Sequence, residues 1–260
     1  MSKNADTPTQ GVAAVDRALT ILNAFEESPE PITLAVLSKK TGLYKSTLLR
    51  LIASLQAFGY ITRNPDGSYF LGPTLLRLGA AYQRASNLHD RVMPVLRDLV
   101  AQGTESPSFH VRHDASQRLC LFRLDSLHST LDAVSVGMLL PLDRGAAGKV
   151  ILAFWGQQGK EFERIRERFI AVSYGERDPH CAGLACPVFG ADGNLIGALS
   201  VSGPRERFDD KNVARMSELV MEAAVRLTRD FGGQPQVMLK AKELILGSLT
   251  RGSPKRKRTS

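Results

Sequence analysis

Three short helical patterns followed at once by a β-hairpin pattern occupy residues 12–71. The first helix is predicted over residues 12–25, because apolar residues recur three and four positions apart and therefore share one helical face. We expect that face to be buried; it consists of Val12, Val15, Leu19, Leu22 and Phe25. This order of elements leaves few compact arrangements open to the N-terminal part of the chain.

The next two helices are separated by a short turn. Thr33 is the expected N-cap of the second helix, and Gly42 ends it because glycine tolerates the left-handed conformation at a helix C-terminus. The third helix opens at Lys45 and ends before Gly59, and two strand patterns then flank the turn at 65–67. This is the outline of a winged helix-turn-helix domain, expected over residues 11–73.

The third helix carries residues suited to DNA binding. Residues 36–79 have a net charge of +5, and hydroxyls beside the free N–H groups of a helix N-terminus suit a phosphate. The predicted DNA contacts are Lys45, Ser46, Thr47 and Arg50 on the third helix, with Arg63 and Asn64 at the hairpin tip. The alternative is a protein-interaction module in which these polar residues form a solvated face.

A linker helix is predicted over residues 74–88 and a second domain over residues 89–232. The first helix of that domain is expected to be interrupted near Pro94, since proline lacks the N–H that a helix interior uses. Short strand patterns follow, one of them Leu131–Val136, and then a long amphipathic helix over 210–231. The sequence therefore predicts an α+β protein with a mainly antiparallel sheet.

The net charge of +8 is unevenly distributed along the chain. Residues 1–79 carry +2, residues 80–233 carry 0, and residues 234–260 carry +6. We expect residues 233–260, with the cluster Lys255–Arg258, to be a disordered basic tail. The middle of the chain is therefore electrically neutral, and the specific DNA reader is the smaller basic patch near the N-terminus.

Membrane-spanning and secreted classes are excluded by composition and pattern. No run approaches the roughly 18 apolar residues of a membrane span, and the polar start lacks the apolar segment of a signal peptide. Three cysteines do not make a disulfide framework in a chain of 260 residues. We therefore expect a cytoplasmic protein.

Signals for catalysis and metal binding are weak. Gly148–Lys149 is similar to part of a phosphate-binding loop, but Asp143 and Val150 break the Walker pattern. The cluster of His180, Cys181 and Cys186 lacks the second ligand pair of a structural zinc site. No catalytic residue, metal ligand or cofactor is predicted. A small-molecule enzyme built on the middle domain is kept as a further alternative.

Six segments, in order over residues 11–231, together resemble the isocitrate lyase regulator (IclR) family of bacterial transcription factors. Three lie in the N-terminal part: Gly11-Val-Ala-Ala-Val-Asp-Arg-Ala-Leu-Thr-Ile-Leu, Thr41-Gly-Leu-Tyr-Lys-Ser-Thr-Leu-Leu-Arg-Leu and Leu71-Gly-Pro. The others are Leu140-Pro-Leu-Asp-Arg-Gly-Ala-Ala-Gly-Lys, Ala185-Cys-Pro-Val-Phe and Gly197-Ala-Leu-Ser-Val-Ser-Gly-Pro.

The resemblance implies three functional parts. A winged helix would bind double-stranded operator DNA, and a linker helix would help to pair subunits into a homodimer or homotetramer. A GAF-like α/β domain would bind a small organic effector, often a carboxylate or an aromatic acid. Members of the family are regulators rather than enzymes.

The resemblance also implies effector-binding positions. The backbone amides of Ala146 and Ala147 would cradle a carboxylate at a helix N-terminus, and Ser200 and Ser202 would contact the ligand from one face of a strand. Ser173 and Gly183 stand where the family commonly has an acidic residue and a cysteine, so we expect a wider and less acidic pocket. The expected apolar walls are Val136, Met138, Leu142 and Leu184; the alternative is that these residues only pack the domain core.

Overall fold

The structure is a computed structural model that describes residues 11–26, 28 and 30–241, and the chain divides into two compact units, residues 1–86 and 87–260. Each unit has its own apolar core. The N-terminal unit is a helix-turn-helix domain with a hairpin, and the C-terminal unit is an α/β domain with an antiparallel sheet. The fold class predicted from the sequence is confirmed.

The N-terminal unit follows the predicted order of elements. They are α1 (Ala13–Asn23), α2 (Leu34–Thr41), α3 (Lys45–Ala57), β1 (Ile61–Arg63), β2 (Tyr69–Leu71) and α4 (Pro73–Ser86). The Thr33 hydroxyl accepts a hydrogen bond from the Val36 N–H at 3.4 Å, and Gly42 has φ +70°. The antiparallel β1–β2 hairpin is extended by a bridge between Ile32 and Tyr69.

The face of α1 that packs inward differs from the prediction. Ile21 and Phe25 are buried against α2 and α3, whereas Val12, Val15 and Leu19 are 68%, 54% and 53% exposed. The prediction of one buried face was therefore wrong for its first three members. Because α1 has apolar residues on two faces, spacing alone could not decide which of them meets the core.

The C-terminal unit is built on one six-stranded antiparallel sheet with strand order β5-β4-β3-β8-β7-β6. Helices α5 and α8 cover one face, and α6 and α7 pack against the other. The elements are α5 (Leu88–Ala101), β3 (Ser106–Arg112), β4 (Gln117–Arg123), β5 (Leu139–Pro141), α6 (Ala146–Phe154), α7 (Lys160–Arg168), β6 (Ala171–Tyr174), β7 (Cys181–Phe189), β8 (Leu195–Pro204) and α8 (Asp210–Asp230).

Two predictions for this unit are wrong. Leu131–Val136 is not a strand but an irregular segment, in which the side chain of Asp132 is completely buried and held by arginines. Pro94 lies inside α5 without interrupting it. Buried Val92 and Val95 on either side pack that helix onto the sheet, and this burial offsets the hydrogen bond that proline cannot make.

Ordered structure continues beyond the expected start of the tail. Residues 236–241 are helical, Met238 is 1% exposed within the core formed by α5 and α8, and Ala241 is also buried. The boundary at residue 233 was therefore placed too early. The cluster Lys255–Arg258 lies outside the described residues. Within the described part of the chain, every helix is too short or too polar to cross a membrane.

Candidate functional site

The N-terminus of α3 is open to an incoming ligand. The N-cap residue Tyr44 makes no side-chain capping bond, so the first N–H groups of the helix are left for an external acceptor. Lys45, Ser46 and Arg50 are exposed, and Thr47 is half-buried. Tyr44, which the sequence reasoning did not single out, is 84% exposed at the same place.

At the hairpin tip, Arg63 is an exposed cation, whereas the side-chain amide of Asn64 is hydrogen-bonded within the turn. Arg63 is exposed, and its guanidinium lies 5.8 Å from the ring centroid of Tyr69. The side-chain amide of Asn64 donates to the Ser68 hydroxyl at 3.0 Å, while Asp66 accepts from the N–H and the hydroxyl of Ser68. Asn64 therefore shapes the turn that presents Arg63.

The basic residues of α3 and the hairpin are electrostatically uncompensated. None of Lys45, Arg50 and Arg63 forms an ion pair with a carboxylate among residues 11–26, 28 and 30–241. Lys40 differs, because its ammonium donates to the Ala24 carbonyl at 3.2 Å and to the Ser28 hydroxyl at 3.1 Å. Lys40 thus ties α2 to the turn after α1.

The C-terminal unit has a cavity of about 50 Å³, partly open to solvent, between the sheet and the start of α6. Seven of the ten predicted effector residues line it: Ala146, Ala147, Ser173, Gly183, Leu184, Ser200 and Ser202. The side chain of Leu184 nevertheless belongs to the core on the opposite face of the sheet. Polar residues that the sequence reasoning missed also line the cavity: His110, Arg118, Arg177, Asp178 and Cys181.

The other three predicted residues lie elsewhere. Val136 is 57% exposed, Met138 packs against a small cluster around Cys120, and Leu142 is buried beneath α6. The cavity wall on that side is instead provided by Val134 and Leu140. The sequence placed these apolar residues near the cavity but could not say which side chains turn towards it.

The first amides of α6 already have protein acceptors. The Ala146 N–H donates to the Ser173 hydroxyl at 2.9 Å, and the Gly145 N–H donates to the Glu176 carboxylate at 2.9 Å. Glu176 also pairs with the ammonium of Lys149. Ala147 makes no comparable bond with any residue that the structure describes. The helix N-terminus is thus an anion site that the protein partly fills itself.

A buried ion-pair cluster lies beside Ser202. The Asp132 carboxylate is fully buried and contacts the guanidinium groups of Arg123 at 2.5 Å and of Arg177 at 3.3 Å. The Ser202 hydroxyl donates to the same carboxylate at 2.8 Å. Three donors therefore converge on Asp132, and its carboxylate holds the side chains of Arg123, Arg177 and Ser202 in place.

A hydrogen-bonded chain runs from the predicted ligand contact Ser200 to a histidine. The hydroxyls of Ser200 and Ser108 are 3.0 Å apart, and the Ser108 hydroxyl is 3.0 Å from Nε2 of His110. Burial, together with the charges of Arg118, Arg123 and Arg177, holds the pKa of His110 well below 6.5. The imidazole is therefore neutral at physiological pH.

The cysteines do not form a metal site. Cys186 is completely buried in the core under α5 and α8, whereas Cys181 lines the cavity. The two are five positions apart on one strand, so alternation points them to opposite faces of the sheet. No group of three potential metal ligands occurs within the part of the chain that the structure describes.

Two family models match this chain, one in each of its two units. The family model described as the IclR helix-turn-helix domain matches residues 14–65, and that described as the bacterial transcriptional regulator IclR C-terminal domain matches residues 157–229. The chain belongs to the IclR family. It is an IclR-type transcriptional regulator, and DNA binding is inferred from its helix-turn-helix domain, of which α3 is the second helix.

Individual IclR relatives match along almost the whole of their length. The transcriptional regulator BhcR of Paracoccus denitrificans is 28% identical, over 87% of this chain and 89% of that protein. The crystal structure of an IclR transcriptional regulator from a Silicibacter species is 25% identical, with a TM-score of 0.72 over 85% of this chain and 97% of that one. An IclR homologue from Microbacterium hydrocarbonoxydans complexed with 4-hydroxybenzoate is 21% identical, with a TM-score of 0.71 over 84% and 99% of the two chains.

Proposed function

We propose that the chain binds operator DNA through α3 and the β1–β2 hairpin, and that a small organic acid or aromatic effector in the cavity of the C-terminal unit controls this binding. The observation that carries the DNA part is the set of exposed, unpaired cations beside the uncapped N-terminus of α3. Lys45, Ser46 and Thr47 hold the phosphate backbone, and Arg50 reads a base edge. Arg63 contacts the neighbouring DNA backbone, and Asn64 stabilises the turn that presents Arg63.

Replacing Arg50 tests the DNA interface. Arg50→Ala is expected to weaken binding to a duplex taken from directly upstream of the protein's own gene by about 1–3 kcal/mol, because a base contact is lost. Gel-shift titration measures this. Arg17→Ala, which removes an exposed arginine of α1, is the matched control and should bind like the wild type. Unchanged affinity of the Arg50 variant would remove this residue from the interface.

The effector part of the proposal rests on the cavity. It lies at the N-terminus of α6, and Ser200, Ser202, Ala146 and Ala147 all line it. A relative of the same fold holds 4-hydroxybenzoate, an aromatic carboxylate. Thermal-shift measurements of the full chain with carboxylates would support the proposal by an increase in melting temperature, and no response to any organic acid would contradict it.

Assembly into a homodimer or homotetramer belongs to the same proposal. Val12, Val15 and Leu19 on α1, with Leu76, Leu78 and Tyr82 on α4, are large apolar residues left exposed in one chain. Patches of this kind mark interaction surfaces. Two copies would place two recognition helices on the half-sites of a pseudo-palindromic operator.

We propose that the protein acts without catalysis and in the bacterial cytoplasm, where its DNA target lies. Burial and the neighbouring Asp178 raise the pKa of the Cys181 thiol, which lines the cavity, so this thiol is not a ready nucleophile. Among the residues that the structure describes, the Ser108 hydroxyl contacts His110, and no carboxylate contacts the imidazole to orient it as a general base. The cavity thus supports binding better than reaction.

A further inference from the structure

The outward face of α3 carries an apolar side chain among its polar ones. Leu49 is 48% exposed, and its neighbours Lys45, Ser46 and Arg50 on the same helix are exposed as well. Helical spacing places Leu49 one turn after Lys45 and one turn before Ala53, which is also exposed. The surface that the proposed function turns towards DNA therefore includes a leucine.

Packing within the N-terminal unit does not account for this leucine. Leu48 and Ile52 are buried in the core of the unit, and Leu51 and Leu55 pack against it while partly exposed. Among the described residues, Leu49 does not belong to that core. An amphipathic helix needs apolar residues on one face only, so the leucine on the other face is available to an external partner.

The charges of this unit decide which partner fits. Lys45, Arg50 and Arg63 form no ion pair with a carboxylate within residues 11–26, 28 and 30–241. Asp66 is the only acidic residue in the stretch 36–79. A second copy of the chain would bring the same cations to this face and would be repelled, whereas DNA brings phosphates.

In the major groove of DNA, the feature that suits an apolar side chain is the 5-methyl group of thymine. The other groups on the base edges there are hydrogen-bond donors and acceptors. The second helix of a helix-turn-helix enters this groove with its N-terminal residues on the base edges. Leu49 lies in the first half of α3, directly before Arg50, for which we propose a base contact.

We propose that Leu49 selects a thymine in each half-site of the DNA target by packing its side chain against the 5-methyl group. This inference rests on the proposed function, because it names a base feature that α3 recognises. One methyl group removed from water raises the affinity about fourfold. The phosphate contacts thus provide most of the affinity, and Leu49 adds discrimination against base pairs without a methyl group at that position.

Replacing thymine by uracil in the DNA tests this contact on the unaltered protein. Uracil lacks only the 5-methyl group and keeps the hydrogen-bonding groups of thymine. The duplex from directly upstream of the protein's own gene is prepared with thymine or with uracil, and both are titrated with the full-length protein in gel shifts. We expect binding of the uracil duplex to be weaker by about fourfold or more. The ratio should be the same at low and at physiological salt, because a methyl contact releases no counterions.

Variants assign the methyl contact to Leu49. Leu49→Ala should bind the thymine duplex about fourfold more weakly than the wild type and should no longer distinguish thymine from uracil. Leu49→Met keeps a long apolar side chain and should retain most of the preference. Leu127→Ala is the matched control, because Leu127 is 88% exposed in the C-terminal unit; it should keep the full preference for thymine. Circular dichroism checks that each variant is folded.

Single uracil substitutions locate the methyl group. One position in each half-site should reproduce most of the loss, since one leucine covers one methyl group. Small losses spread evenly over many thymines would overturn the inference, because DNA shape rather than a contact would then be responsible.

Three further results would overturn the inference: equal affinity of the wild type for the two duplexes, a thymine preference that survives in Leu49→Ala, or a lower mass of Leu49→Ala in sedimentation velocity. The last result would assign this face to a second copy of the chain. Equal affinity for both duplexes would leave the proposed DNA interface intact if Arg50→Ala still weakens binding. Failure of the wild type to bind either duplex would reject the interface and the thymine contact together.

Discussion

At the scale of single residues, Asp132 organises the polar part of the C-terminal unit. Its carboxylate holds Arg123, Arg177 and Ser202 although it lies in a segment without regular structure. Sequence reasoning predicted that Ser200 and Ser202 share a strand face, because alternation along β8 is local. It could not find Asp132, whose importance comes from partners far away in the chain.

Replacing Asp132 is expected to destabilise the protein strongly. Asp132→Ala leaves buried guanidinium charge without its main partner, and removal of one member of a buried pair costs about 3–5 kcal/mol. Urea unfolding followed by circular dichroism measures the free energy of unfolding. Asp125→Ala is the matched control, since Asp125 contacts the same Arg123 at 3.1 Å but is 62% exposed; it should cost under about 1 kcal/mol. Equal losses for both variants would argue against the role of burial.

At the scale of elements, local chemistry predicted helix ends better than helix faces. Thr33 and Gly42 bound α2 as expected, because a cap depends on neighbouring backbone atoms. The face of α1 and the continuity of α5 through Pro94 were decided by packing instead. The segment 131–136 has residues typical of a strand, but it forms no strand. It is held instead by the buried ion pair between Asp132 and Arg123.

The N-cap of α8 offers a test at this scale. The Asp209 carboxylate accepts from the Asn212 N–H at 2.7 Å, at the start of the helix that covers one face of the sheet. Asp209→Ala should reduce the free energy of unfolding by about 1 kcal/mol, because a helix donor loses its acceptor. Asp209→Asn keeps an acceptor and should stay close to the wild type. A comparable loss in both variants would point to charge rather than capping.

At the scale of the whole molecule, the exposed apolar residues of α1 and α4 argue for assembly. Leu76 is 79% exposed in a single chain, so its large apolar side chain would be in contact with water in a monomer. Leu76→Arg should shift the protein towards monomer in sedimentation velocity, because a charge would enter an apolar interface.

Leu127 provides the control for this experiment. It is 88% exposed in the connection after β4, so Leu127→Arg adds the same charge outside the two helices. That variant should keep the mass of the wild type. An unchanged mass for Leu76→Arg as well would exclude this part of α4 from the interface.

The sequence by itself determined the order of elements in the N-terminal unit and the basic charge of α3, because capping, periodicity and charge depend on residues that are close together in the chain. It also carried the motifs that resemble the IclR family. The tertiary structure decided which apolar face of α1 is buried, which side chains turn into the cavity, and that Arg118 and His110 both line it. The face of α1 depends on packing against α2 and α3, and the lining of the cavity depends on β3, β4, β7, β8 and α6, which are distant in sequence. Burial then determines their energy, since a charge that water would solvate on the surface needs a partner inside.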